Sequence, residues 1–145
     1  MCNKSDSAVQ CFTNGFNCAQ AVFTTYCEEL GLDKETALKI SCAFGGGMGL
    51  IGETCGAVTG AFMVIGLKYG KSKADDNAAK DKTYALVKEF SKRFKAEFGS
   101  VNCKELLKYD IGNLEEMKKA AEEGLFKSLC PRLVKRATEI VEEIL

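Results

Sequence analysis

The sequence contains no histidine. That absence removes Cys-His and Ser-His-Asp nucleophilic catalysis, imidazole acid–base chemistry and every histidine-containing metal site. It has a single proline, and strand-like alternation never persists, so helical periodicity dominates. No C-x-x-C occurs, so the thioredoxin motif, the zinc ribbon and the bacterial ferredoxin run are all absent. The longest apolar stretch, Ala57 to Leu67, is too short to span a bilayer and is broken by glycine. The polar start, MCNKSDSAVQ, has no signal-peptide apolar region. Lys and Arg total 20 against 20 Asp and Glu, without a basic patch free of interleaved acids, so no nucleic-acid footprint emerges. These absences predict a cytoplasmic chain with no membrane span.

What remains is 145 residues, enough for one domain, 1–145, with a real core. The organising stretch is 44–70, FGGGMGLIGETCGAVTGAFMVIGLKYG. Its glycines are costly to order and need a reason, such as positive φ or a close backbone approach. The run after Cys55 is apolar nearly all round and predicts a buried central helix closed by Gly70. Gly56 and Gly60, four apart, invite a neighbouring helix to come close.

Around it, Ser5–Thr13 carries a short apolar stripe. Asn17 caps a helix from Cys18 to about Leu30, and Asp33 caps another from about Lys34 to Ala43. A long amphipathic helix spans about Asp76–Phe98, with Ala79, Thr83, Leu86, Val87, Phe90 and Phe94 as its stripe. Asn102 and Glu105 form a capping-box pattern for a short helix to about Lys108. Leu114 to about Phe126 is more charged. Pro131 opens the last helix, about Arg132–Leu145, with Leu133, Val134, Ala137, Ile140, Val141 and Ile144 inside. The expected fold is all-α: a single-domain irregular bundle of six to seven helices around a Gly/Ala-rich central helix.

Eight cysteines sort into two sets on this reading. Cys18, Cys55 and Cys103 each follow a cap residue, and Cys130 precedes Pro131 at the N-cap of the last helix. At a helix start, free N–H groups and the positive end of the dipole favour a thiolate, below the free value of roughly 8.5. A thiolate is both redox nucleophile and metal ligand. Cys11 and Cys42 read as core packing. Cys27 and Cys2 read as incidental.

At these residues the chain resembles the redox-active protein family named for the pattern C_GCAxxG_C_C. Gly15-Phe16-Asn17-Cys18-Ala19-Gln20-Ala21 is similar to the first cysteine block. Gly45-Gly46-Gly47-Met48-Gly49 with Gly52 to Ala61 is similar to the central block. Asn102-Cys103 and Cys130-Pro131 are similar to the third and fourth. The chain reads Cys55-Gly56-Ala57 where the family name is written Gly-Cys-Ala. The resemblance implies a redox-type protein whose characteristic cysteines are Cys18, Cys55, Cys103 and Cys130. It supplies no substrate.

Three functions compete. The first is thiol–disulfide exchange or electron transfer with an unknown redox partner, using Cys55 and one of the other three. The second is a four-cysteine metal site, either an iron–sulfur cluster or zinc, with amides of Gly45, Gly46 and Gly47 donating to cluster sulfurs. The third is a non-catalytic helical interaction module, including a homodimer that buries the glycine face. Thus the cofactor is either none or a Cys-ligated metal. A phosphate-binding loop fits poorly, because no Lys-Ser/Thr follows the glycines and no strand precedes them. Glu53, near Cys55, is a possible proton acceptor, with a solvated carboxylate as the plainer reading. All four motif cysteines are expected in one pocket.

Overall fold

A computed structural model describes residues 3–145. Cys2 lies outside the described residues. The chain is all-α, with helices α1 (Lys4–Thr13), α2 (Cys18–Cys27), α3 (Lys34–Cys42), α4 (Gly56–Tyr69), α5 (Asn77–Phe98), α6 (Cys103–Leu107), α7 (Leu114–Glu122) and α8 (Cys130–Ile144). Two four-residue turns, Gly45–Met48 and Leu125–Ser128, stand between them. These eight helices among the described residues correspond to the segments read from the sequence, one more than the bundle of six to seven expected.

Local chemistry explains most helix starts. Asn3, Asn17, Asp33, Asp76, Asn102 and Asn113 each accept a backbone N–H from the first turn of the helix they open. Such caps are worth about 1 kcal/mol each. The reciprocal capping box forms at Asn17 with Gln20. It does not form at Asn102, where the Asn102 amide donates to Ser100 Oγ at 2.9 Å instead of to Glu105. Ends differ by a few residues from expectation. Helix α2 stops at Cys27 rather than Leu30, and a turn at Gly124 splits the expected Leu114–Phe126 segment.

Helix α4 is central, as its all-round apolarity requires. Ala57, Val58, Ala61, Val64 and Ile65 are fully buried. Its most extensive partner is α2. A Cβ on Gly60 would lie 2.8 Å from the Ala19 carbonyl oxygen, so only glycine permits that approach. The close neighbour expected at Gly56 and Gly60 is α2 of the same chain. Helix α8 inserts Leu133, Val134, Ala137, Ile140 and Val141 between α1, α2, α4 and α5. Helix α5 buries only Phe90 and Phe94 of its predicted stripe, and Phe62 meets Phe90 edge-on at 5.8 Å. Its N-terminal half is partly exposed.

The apolar side chains form two clusters. The main core gathers α1, α2, α4, α5 and α8. A smaller satellite holds Cys103, Leu107, Ile111 and Ala120, with Met117, Phe126 and Cys130 packed against it. The functional site lies on the seam between them.

Candidate functional site

Asn17 begins the construction. Its Oδ1 accepts the Gln20 N–H at 2.9 Å, and its Nδ2 donates to the Cys42 carbonyl at 2.9 Å. This fixes the start of α2, and hence Cys18, against the end of α3. Gly45 lies so close that an added Cβ would be 2.4 Å from the Asn17 side chain.

The chain then takes a left-handed turn. Gly46, Gly47, Met48, Gly49 and Leu50 have φ of 67°, 67°, 71°, 64° and 65°. Left-handed backbone costs an L-residue with a Cβ about 1–2 kcal/mol, so three of these five positions escape the cost by being glycine. The turn doubles back: the Gly52 N–H donates to the Gly46 carbonyl at 3.3 Å, and the Glu53 N–H to the Gly47 carbonyl at 2.8 Å. An isolated antiparallel bridge follows between Thr54 and Asn102. Its flanking bonds run from Cys55 N–H to the Val101 carbonyl (2.8 Å) and from Cys103 N–H to the Glu53 carbonyl (2.6 Å). Cys55 and Cys103, 48 residues apart in sequence, are thereby clamped at the starts of α4 and α6.

Cys18, Cys55, Cys103 and Cys130 all line one cavity of about 230 Å³. Cys18 and Cys55 reach it from the main core, Cys103 and Cys130 from the satellite. Glycines make the room. A Cβ on Gly56 would sit 2.4 Å from Cys18 Sγ, and one on Gly47 would sit 2.7 Å from Cys103 Cβ. Gly46 and Gly47 line the cavity, whereas Gly45 does not and serves Asn17 instead. The other walls are Phe12, Leu50, Leu106, Leu107, Ile111, Met117, Phe126 and Leu133. Sequence reasoning missed this apolar lining. The adjacent pair Leu106-Leu107, followed by Ile111, was its one available signal.

At Cys55, Cys103 and Cys130, burial opposes the low thiol pKa values expected from helix starts. Cys55 is itself the N-cap of α4, and Cys130 is the first residue of α8 rather than its cap. Burial pushes the Cys55 thiol well above its ordinary value, and negative charge on Cys18 and Cys103 adds to this. The Ala57 and Val58 amides favour its thiolate, without forming a capping hydrogen bond. Cys103 is pushed up to about 12 by burial, then by charge on Cys18 and Asp110. Cys130 is pushed up to about 12 by burial, then by charge on Cys18 and Cys103. The magnitudes explain the outcome. Full desolvation shifts a pKa by as much as 3–5 units, whereas a helix terminus contributes about 0.3–1 kcal/mol, less than one unit. After burial, the cause shared by all three is the Cys18 charge.

The remaining cysteines divide differently from expectation. Cys11 is half-buried, its sulfur 3.8 Å from Thr24 Oγ1. Cys27 is fully buried core and Cys42 is exposed, the reverse of their readings from sequence. All seven described cysteines are free thiols. Glu53 is half-exposed, 3.7 Å from Lys104 Nζ and outside the cavity lining, which matches the solvated reading. Among the described residues, no three Cys, Asp or Glu side chains stand close enough to hold one ion, so the thiols do not present a preformed tetrahedral zinc site. No helix among the described residues is long and apolar enough to cross a membrane.

Fold and site together define a class: an all-helical protein with four cysteines gathered on one apolar cavity. The chain belongs to the family described as "Putative redox-active protein (C_GCAxxG_C_C)", whose model matches residues 16–144. The match takes in all four cavity cysteines. No curated protein and no solved structure matches the chain.

Proposed function

We propose that the four-cysteine cavity is a thiol–disulfide redox centre, in which two thiols give up two electrons and become one disulfide. The observation that carries this reading is the convergence of Cys18, Cys55, Cys103 and Cys130 on one cavity from four distant segments. Cys18 is the common partner in the proposal. Its sulfur abuts Gly56, the neighbour of Cys55, and it lies near enough to the other three to influence the ionisation of each. The protonated neighbours then supply the proton that a departing thiolate needs.

The test is differential alkylation with peptide mass spectrometry before and after mild oxidation, alongside an iron and zinc assay. Oxidation should consume two of the four cavity thiols per chain and leave Cys27 and Cys42 free. Stoichiometric iron or zinc that blocks alkylation of all four would replace this reading with the metal centre.

A further inference from the structure

The cavity also has a selectivity that its thiols do not account for. No Lys, Arg, Asp or Glu side chain lines it. Its one amide side chain, Asn17, already spends Oδ1 on the Gln20 N–H and Nδ2 on the Cys42 carbonyl. Lys104 pairs with Glu53 and with Asp110 outside the lining. An anion entering this space would lose its hydration without meeting a cationic side chain. Size narrows the occupant further. About 230 Å³ exceeds the ~150 Å³ dry cavity that takes a benzene ring, and falls short of the ~300 Å³ at which drug-sized sites begin. One ring or a short alkyl chain fits, so the cavity takes one half of a two-ring disulfide.

We propose that the cavity selects a small, neutral, apolar disulfide as the oxidant of its thiols. The inference rests on the thiol–disulfide reading and names the substrate class for it. Hydroperoxides and quinones acquire charge on oxygen as they are reduced, and need donors aimed at that oxygen. Among the lining side chains other than the thiols, only the second Nδ2 hydrogen of Asn17 is left to donate. A disulfide places its leaving charge on sulfur, a weaker acceptor, and a neighbouring cavity thiol can protonate it.

The chemistry balances. A cavity thiolate attacks one sulfur of R–S–S–R, the S–S bond breaks, and R–S⁻ leaves. It takes a proton from a neighbouring buried thiol and departs as R–SH. That neighbour, now a thiolate, attacks the mixed disulfide and expels the second R–S⁻, which takes up the proton released when the first thiolate formed. Two cysteines are oxidised to one cystine and R–S–S–R is reduced to two R–SH.

The experiment compares two aromatic disulfides that differ in charge: neutral dipyridyl disulfide and the dianion dithiobis(nitrobenzoate). Loss of each cavity thiol in the reduced protein is followed by quenched alkylation and peptide mass spectrometry, so that the exposed Cys42 is read separately. The neutral-to-anionic rate ratio is divided by that of the same chain unfolded in urea. The expected quotient is at least about tenfold. Met117→Phe should lower the dipyridyl rate by narrowing the cavity and Phe126→Ala should raise it, with circular dichroism confirming that both fold. A smaller quotient, or rates that ignore both substitutions, overturns the inference while leaving the redox centre intact. If both reagents yield only mixed adducts and no internal disulfide, the redox centre falls and the selectivity with it.

Discussion

At the scale of single residues, glycines next to the thiols have a packing reason that ordinary helix propensity would hide. Gly56 occupies the first position of α4, and an added Cβ would meet Cys18 Sγ at 2.4 Å, the Phe44 carbonyl at 3.0 Å and the Ala19 nitrogen at 3.1 Å. Two of these three contacts are backbone, which cannot rotate aside. Gly56→Ala should therefore destabilise the protein by about 1–3 kcal/mol, the usual range for overpacking. Because the sulfur is the contact most able to give, the same substitution should change the alkylation rate of Cys18 more than that of Cys130. Denaturant melts and site-resolved alkylation check the two parts. An unchanged melt with unchanged Cys18 reactivity would show that the sulfur does not sit against this position.

At the scale of elements, the left-handed turn and the central helix ask opposite things of glycine. Gly49 is in the turn with φ 64°, and an added Cβ would find only the Ala43 carbonyl at 3.4 Å, an ordinary contact. Gly49→Ala thus isolates the backbone cost and should destabilise by about 1–2 kcal/mol. Gly66 is within α4, and an added Cβ would meet nothing within 4 Å. Gly66→Ala should stabilise by about 0.5–1 kcal/mol through helix propensity and reduced unfolded-state freedom. Thermal melts of both variants against the parent read the signs directly. Equal signs would mean that the turn is not left-handed in solution. The elements themselves were legible where one residue decides them. Asn17 and Asp33 mark helix starts, the α8 stripe marks its buried face, and the apolarity of Ala57–Ile65 marks a central helix. The hand of the turn was not legible, because GGGMG states a need for unusual φ without saying which. Nor was the lost capping box at Asn102, which depends on Ser100 reaching its amide first.

At the scale of the whole molecule, the meeting of four cysteines was legible because each falls at the start of a helix, and helix starts cluster at the ends of a bundle. The raised pKa values of Cys55, Cys103 and Cys130 were not, because they depend on how deeply two apolar clusters close over them, and periodicity does not measure depth. That depth makes the site a term in global stability. Cys103 and Cys130 are held up to about 12 in the fold, and Cys55 is raised as well, against roughly 8.5 in an unfolded chain. Between those values the native state binds more protons than the unfolded state, so stability must fall as pH rises. The contribution is complete below about pH 8.5 and is lost progressively toward about 12, with a limiting slope of about 1.4 kcal/mol per pH unit for each such thiol. Urea unfolding of the reduced protein at several pH values above about 8.5 should show that decline, and Cys130→Ser should make it shallower. The proposed redox centre predicts a second, independent control. A disulfide carries no titratable proton, so oxidising two of the cavity thiols should flatten the alkaline decline. It should also raise stability at neutral pH, by constraining the unfolded chain. A decline equally steep in the reduced and oxidised forms would assign the alkaline loss to other groups, of which Tyr26, raised by burial and by Glu142 and Glu29, is the first to test.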